Sequence, residues 1–320
     1  MRKAALFATL VAAAAAQQTA PKPAQPPQET DPVIKVDVEI VNLFCSVRDK
    51  RGAFLKDLDK DAFSVLEDGK KQDIKYFTRE TNLPLTIGLL VDVSKSQENL
   101  IEVERRAAAQ FFKQVLREKD MAFVISFGAE AELLQDSTNS LRLLQKGLDS
   151  MRLNVGLGGL HPNPTGAKPR GTIMYDTVYL AANEKLKGEV GRKVIVLITD
   201  GMDYGSRVTL REAMAEAQKA DAVIYGVYYA DSRFGYFGSD GDMKKMAEET
   251  GGRVFHVSGR NSLDEIFRQI SDEMRSQYAI GYSPANPARD GAFRKVEIRV
   301  QNKDQKVQAR KGYYAGADSK

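Results

Sequence analysis

The sequence predicts a doubly wound, mostly parallel α/β sheet, flanked by a small β-sandwich-like module drawn from both ends of the chain. Three observations predict it. Between residues 83 and 276, apolar runs of strand length alternate with segments whose apolar residues recur at helical spacing. Two of those runs, 85–91 and 194–198, are apolar at nearly every position, as central strands covered on both faces require. Before residue 83 and after residue 276 the pattern changes to short strands separated by turn residues.

The chain begins with a segment that does not belong to this fold. Arg2 and Lys3 precede an uncharged apolar run, 4–16, that ends in the small residues Ala14-Ala15-Ala16. That is the layout of a secretory signal peptide, and the run is shorter than the roughly 20 residues that span a bilayer. A secreted or periplasmic protein is expected, with no transmembrane segment in the mature chain; an uncleaved amphipathic anchor is the alternative. Residues 17–32, rich in Pro, Gln and Ala, read as an extended linker. With 320 residues, the chain has room for one large domain or two ordinary ones. The net charge of +4 is not gathered into any basic run, so no nucleic-acid partner is expected. The single cysteine, Cys45, excludes an internal disulfide, and its apolar neighbours place it in a strand interior.

In order along the chain, the N-terminal β module covers 33–80. Ile34, Val36, Val38 and Ile40 alternate with charged residues, and runs 63–66 and 74–77 flank Asp68-Gly69, a hairpin signal. The strand at 85–91 opens the α/β domain, which extends over 83–276. It leads into a helix at 97–116, a strand at 121–127, a short edge strand at 132–134 and a helix at 141–151. A Gly- and Pro-rich loop at 156–171 precedes a helix at 174–187 and the second apolar strand. Helix 209–219, strand 222–229, helix 242–250, strand 253–257 and helix 263–275 complete the alternation. Strands at 277–282, 293–300 and 307–314 follow, within a C-terminal segment, 277–320, expected to pair with the N-terminal module. Two unrelated β appendages are the alternative.

In an open α/β sheet, ligands bind beyond the carboxyl ends of the strands. Two apolar strands here run straight into acids: one into Asp92, the other into Thr199-Asp200-Gly201. In Asp92-Val93-Ser94-Lys95-Ser96, one carboxylate and two hydroxyls fall at alternate positions and can turn toward one point. Thr172, just before a helix, can add a third hydroxyl. Every donor is oxygen, which selects a hard cation, Mg2+ or Mn2+ ahead of Ca2+. Two carboxylates roughly neutralise such an ion, and a free coordination position could take an acid from a partner. The plainer alternative is that Asp92 and Ser94 cap the following helix.

The Asp92-Val93-Ser94-Lys95-Ser96 loop, Thr172 and Ile198-Thr199-Asp200-Gly201 together resemble the metal-ion-dependent adhesion site of the von Willebrand factor type A (VWA) domain, matching its Asp-x-Ser-x-Ser, Thr and Asp in order. The resemblance covers roughly residues 83–276. Segments 65–72 and 310–314 look like the secreted VWFA-related group first described from acidobacteria. The resemblance implies a Rossmann-like fold and an Mg2+ ion held by Asp92, Ser94, Ser96, Thr172 and Asp200. Ser94, Ser96 and Thr172 are then the direct ligands, with the acids acting through water. It also implies a protein partner that presents Asp or Glu to the ion.

Catalytic signals are sparse. His161 and His256 lie beside no evident nucleophile, and Gly156-Leu157-Gly158 lacks the strand and helix that a nucleotide loop requires. Asp176 and Asp203 are candidate outer acceptors of the site or ordinary solvated acids, and Phe234-Gly235-Tyr236-Phe237-Gly238 is a candidate partner surface. The expectation is a non-enzymatic, metal-dependent protein-binding or adhesion module. A metal-assisted phosphoester hydrolase and a metal-independent envelope scaffold are the alternatives.

Overall fold

The two apolar runs become neighbouring strands at the centre of a six-stranded sheet. In the computed structural model, residues 40–79, 83–154, 171–229 and 239–316 are described. The signal-peptide and linker segments, residues 33–39, the 156–170 part of the Gly/Pro loop with His161, and the aromatic segment 234–238 lie outside them.

The central strands are β5 (Leu85–Asp92) and β8 (Arg192–Thr199), every residue of β5 being buried. They pair in parallel with Val91 opposite Ile198, so Asp92 and Thr199-Asp200 emerge side by side. β6 (Met121–Phe127) flanks β5; β9 (Ala222–Tyr228) and β10 (Val254–His256) continue beyond β8, all in parallel. β7 (Ala131–Thr138) closes the β6 edge antiparallel, eight residues long where a three-residue strand was expected. The order β10-β9-β8-β5-β6-β7 changes direction between β5 and β8. That is the switch point where doubly wound sheets open a crevice.

Helices cover both faces. α1 (Ile101–Val115), α2 (Leu141–Asp149) and α6 (Leu263–Met274) pack one side, where Phe111, Phe112 and Phe267 fill the core. α3 (Met174–Leu180), α4 (Leu210–Lys219) and α5 (Gly241–Thr250) pack the other with small and sulfur-bearing side chains such as Ala181, Ala213, Met243 and Met246. α3 runs into a π-helical turn, Ala181–Leu186, in place of the single continuous helix expected there. α1 begins later than expected, after a separate 3-10 turn, Lys95–Gln97.

The segments on either side of the α/β sheet interleave in two four-stranded sheets. One has the order β13-β1-β11-β4, from β13 (Lys306–Ala309), β1 (Val41–Arg48), β11 (Gln277–Tyr282) and β4 (Ile74–Thr78). The other has the order β14-β12-β2-β3, from β14 (Gly312–Tyr314), β12 (Phe293–Val300), β2 (Phe63–Glu67) and β3 (Lys70–Gln72). Between them lie Leu43, Val65, Tyr278, Ile280 and the fully buried Cys45, whose thiol burial pushes up to about 12. Two strand assignments are corrected. Asp68-Gly69 does turn a hairpin, with both residues at positive φ, but β2 returns as β3; 74–78 crosses to pair with β11. The expected strand 307–314 divides at Arg310-Lys311, one half joining each sheet. In both cases a break in alternation lets the chain contribute to each layer of the sandwich.

Candidate metal centre

The site forms where β5 and β8 end. Val93 continues the ladder for one residue: its N–H donates to the Phe127 carbonyl (2.7 Å) and its carbonyl accepts from Asn154 N–H (2.8 Å). Val93 is pinned with its side chain in the core, and Asp92, Ser94 and Ser96 alternate with it along the chain. The Ser94 N–H donates to Asp92 Oδ1 (2.9 Å), and the Ser94 and Ser96 hydroxyls lie 3.2 Å apart. From β8, the Thr199 hydroxyl donates to Asp92 Oδ2 (2.6 Å) and accepts from Gly201 N–H (3.1 Å). Gly201 adopts φ 83°, and a Cβ there would stand 2.3 Å from the Ser239 carbonyl oxygen, so only glycine lets the chain turn after Asp200.

Asp92 and Ser94 do not act as helix caps. Leu100 occupies the N-cap of α1 without a side-chain capping hydrogen bond, and Ser94, at the N-cap of the 3-10 turn, makes no capping hydrogen bond either. Thr172 is buried at the head of α3. Its carbonyl accepts from Tyr204 N–H (3.0 Å), and the next residue, Ile173, donates to the Gly128 carbonyl (2.9 Å). This ties the Thr172 segment to the loop after Asp200 and to the end of β6. Asp176 and Asp203 brace the same loop: Asp176 Oδ1 accepts from Arg207 and Val208 N–H, and Asp203 Oδ2 from Tyr175 N–H and the Ser206 hydroxyl.

The electrostatics are lopsided. Burial pushes the Asp92 carboxyl up to about 7; the hydrogen bonds from Ser94 and Thr199 pull it down, and Asp200 pushes it up again. Burial and then Asp200 and Asp240 raise the Tyr228 hydroxyl as well. The described residues place no lysine or arginine in a salt bridge with Asp92 or Asp200. A buried acid raised in this way is what a small cation would correct, and hydroxyl and carboxylate oxygens are donors that suit a hard ion. Among the described residues no three acid, histidine or cysteine side chains converge on one point, so hydroxyls and water would complete the coordination.

Two residues behind the loop escaped sequence reasoning. Gln97 donates from Nε2 to the Tyr229 carbonyl (3.1 Å), yet its buried Oε1 has no partner among the described residues. Glu104 is completely buried and neither carboxylate oxygen has a partner among the described residues. A signal was present: Glu104 interrupts the apolar stripe of α1 between Ile101 and Ala108.

No family model matches the chain. An aerotolerance-related membrane protein from Bacteroides fragilis shares 17% identity over 59% of this chain and 98% of its own, at a TM-score of 0.45. BatB from Bacteroides thetaiotaomicron shares 20% identity over 59% of this chain and 97% of its own, at 0.43. Proximal thread matrix protein 1 from the mussel byssus, solved with a zinc-occupied MIDAS motif, shares 15% identity over 65% of this chain and 50% of its own, at 0.47. These likenesses concern the general arrangement of strands and helices.

Proposed function

We propose that this chain is an exported, divalent-cation-dependent protein-binding module of the VWA type. Its ion, Mg2+ or Mn2+, is held by Asp92, Ser94, Ser96, Thr172 and Asp200, and a partner's Asp or Glu completes the coordination. The observation that carries the reading is the Asp92 carboxylate, buried at the β5–β8 switch point beside Asp200 and two serine hydroxyls, with no cationic side chain among the described residues paired to it. The ion supplies a Lewis-acidic position that accepts a carboxylate. The chain's own part is to fix the oxygens: Thr199 orients Asp92, and the Val93 backbone fixes the loop. Export rests on the composition of residues 1–16. No helix among the described residues is long and apolar enough to cross a membrane.

A hydrolase using the same ion would need a general base within reach. Among the described residues, Asp176 and Asp203 are engaged in loop hydrogen bonds, and His256, held by Asp240 (2.9 Å), ends the edge strand β10, three strands from β5, which carries Asp92. The binding role is therefore preferred. Water-proton relaxation with Mn2+ tests it. The protein–Mn2+ complex should enhance relaxation through exchangeable water on the ion, and an Asp-containing peptide should lower the enhancement where its Asn counterpart does not. Equal response to the two peptides would count against carboxylate capture.

A further inference from the structure

Glu104 is an expensive residue to bury where it stands. It lies in the first turn of α1, and helical side chains lean back toward the helix N-terminus. That end of α1 follows the Asp92–Ser96 loop after one 3-10 turn, so the carboxylate is directed toward the back of the loop. It is fully buried, and neither of its oxygens meets a donor among the described residues. Gln97, on the intervening turn, leaves its own buried Oε1 without a donor. Three orphaned acceptor oxygens thus belong to the segment that carries Ser94 and Ser96. Burial first, then Asp92 and then Asp200, push the Glu104 carboxyl well above the usual range. A leucine or methionine would complete the stripe of Ile101, Ala108 and Phe111 without burying an acid. Acceptors left without donors behind a cation site are satisfied when the ion brings its charge and its water.

We propose that Glu104 is a third, recessed carboxylate of the cation site, acting on the ion through its bound water and by charge, with Gln97 Oε1 as a neighbouring acceptor for the same water. The inference rests on the cation-site reading of the Asp92 loop. It assigns Glu104 to the water shell because no three acidic side chains converge for direct ligation among the described residues. With three carboxylates around a divalent ion, the site keeps a net negative charge and retains its ion before any partner arrives. The fold bears the cost of Glu104 in the ion-free state, as functional sites often do.

The experiment uses the full chain, stripped with chelator, as wild type, Glu104→Gln and Glu104→Met. Two quantities are read: the melting temperature without metal and the Mn2+ affinity by calorimetry. Removing the orphaned carboxyl should raise the metal-free melting temperature by a few degrees. It should also weaken Mn2+ binding by at least ~10-fold, the scale of lost outer-shell partners. Mn2+ affinity within twofold of wild type in a folded variant overturns the proposal, whichever way the melting temperature moves. A lowered metal-free melting temperature, or failure of both variants to fold, makes Glu104 a structural group and overturns it equally. A wild-type chain that binds no Mn2+ is a different failure: the cation-site reading itself then falls, whatever the variants do.

Discussion

At the residue scale the site depends on how one buried carboxylate is held. Asp92 receives a hydrogen bond on each oxygen, from Ser94 N–H and from the Thr199 hydroxyl. Thr199→Val keeps the side-chain shape and removes the second donor. Leaving a buried acceptor short of its partner costs ~1 to 3 kcal/mol, and that loss should appear in denaturant unfolding of the chain. Thr199 also accepts from Gly201 N–H, so the turn carrying Asp200 should loosen with it. Unfolding of Thr199→Val within a few tenths of a kcal/mol of wild type would contradict this account of the pair. The placement of Asp92, Ser94 and Asp200 was legible in sequence, because acids directly after all-apolar strands must emerge at a sheet edge. Glu104 was not. Helical periodicity counts an acid inside an apolar stripe as an exception to the pattern, and only packing shows that it stays buried.

At the element scale, local chemistry was legible and long-range pairing was not. Asp68-Gly69 announces a two-residue turn, and its φ values of 48° and 81° fit the primed turn that suits strand twist. Which strand returns from it is decided by the sandwich core, where Phe77 packs against Tyr278 of its own sheet and Phe63 of the opposite one. Gly69→Ala isolates the turn's own contribution, since a Cβ there meets nothing within 4 Å and only the positive φ is strained. The expected cost is ~1 kcal/mol, measurable by denaturant unfolding, with Mg2+ affinity unchanged. The π-helical turn after α3 was illegible for the same reason as β4. Residues 181–186 have ordinary helical character, and their extra residue per turn reflects how Ala181, Ala182 and Leu186 pack.

At the scale of the whole molecule, the sheet that contains β1 and the α/β domain are joined by buried charge. Glu273 of α6, itself completely buried, accepts from Ser46 and Arg48 of β1 and from Arg253 just before β10. Glu273→Ala would leave two arginines facing each other near the junction. Both keep some solvent access, so the loss should be about 2 to 3 kcal/mol rather than the full amount for a sealed pair. Differential scanning calorimetry should show a lower transition for this variant, while Mg2+ affinity of the folded protein stays near wild type. The fold class was legible because alternation of strand and helix leaves few topologies; the sharing of β layers between both ends of the chain follows from where those ends emerge. The central claim is that this scaffold presents a divalent-cation site at Asp92, and calorimetric titration of Mg2+ into wild type and Asp92→Ala tests it most directly. Saturable binding to wild type, absent from a variant that remains folded by circular dichroism, is the predicted result; equal Mg2+ affinity in the two proteins would contradict it.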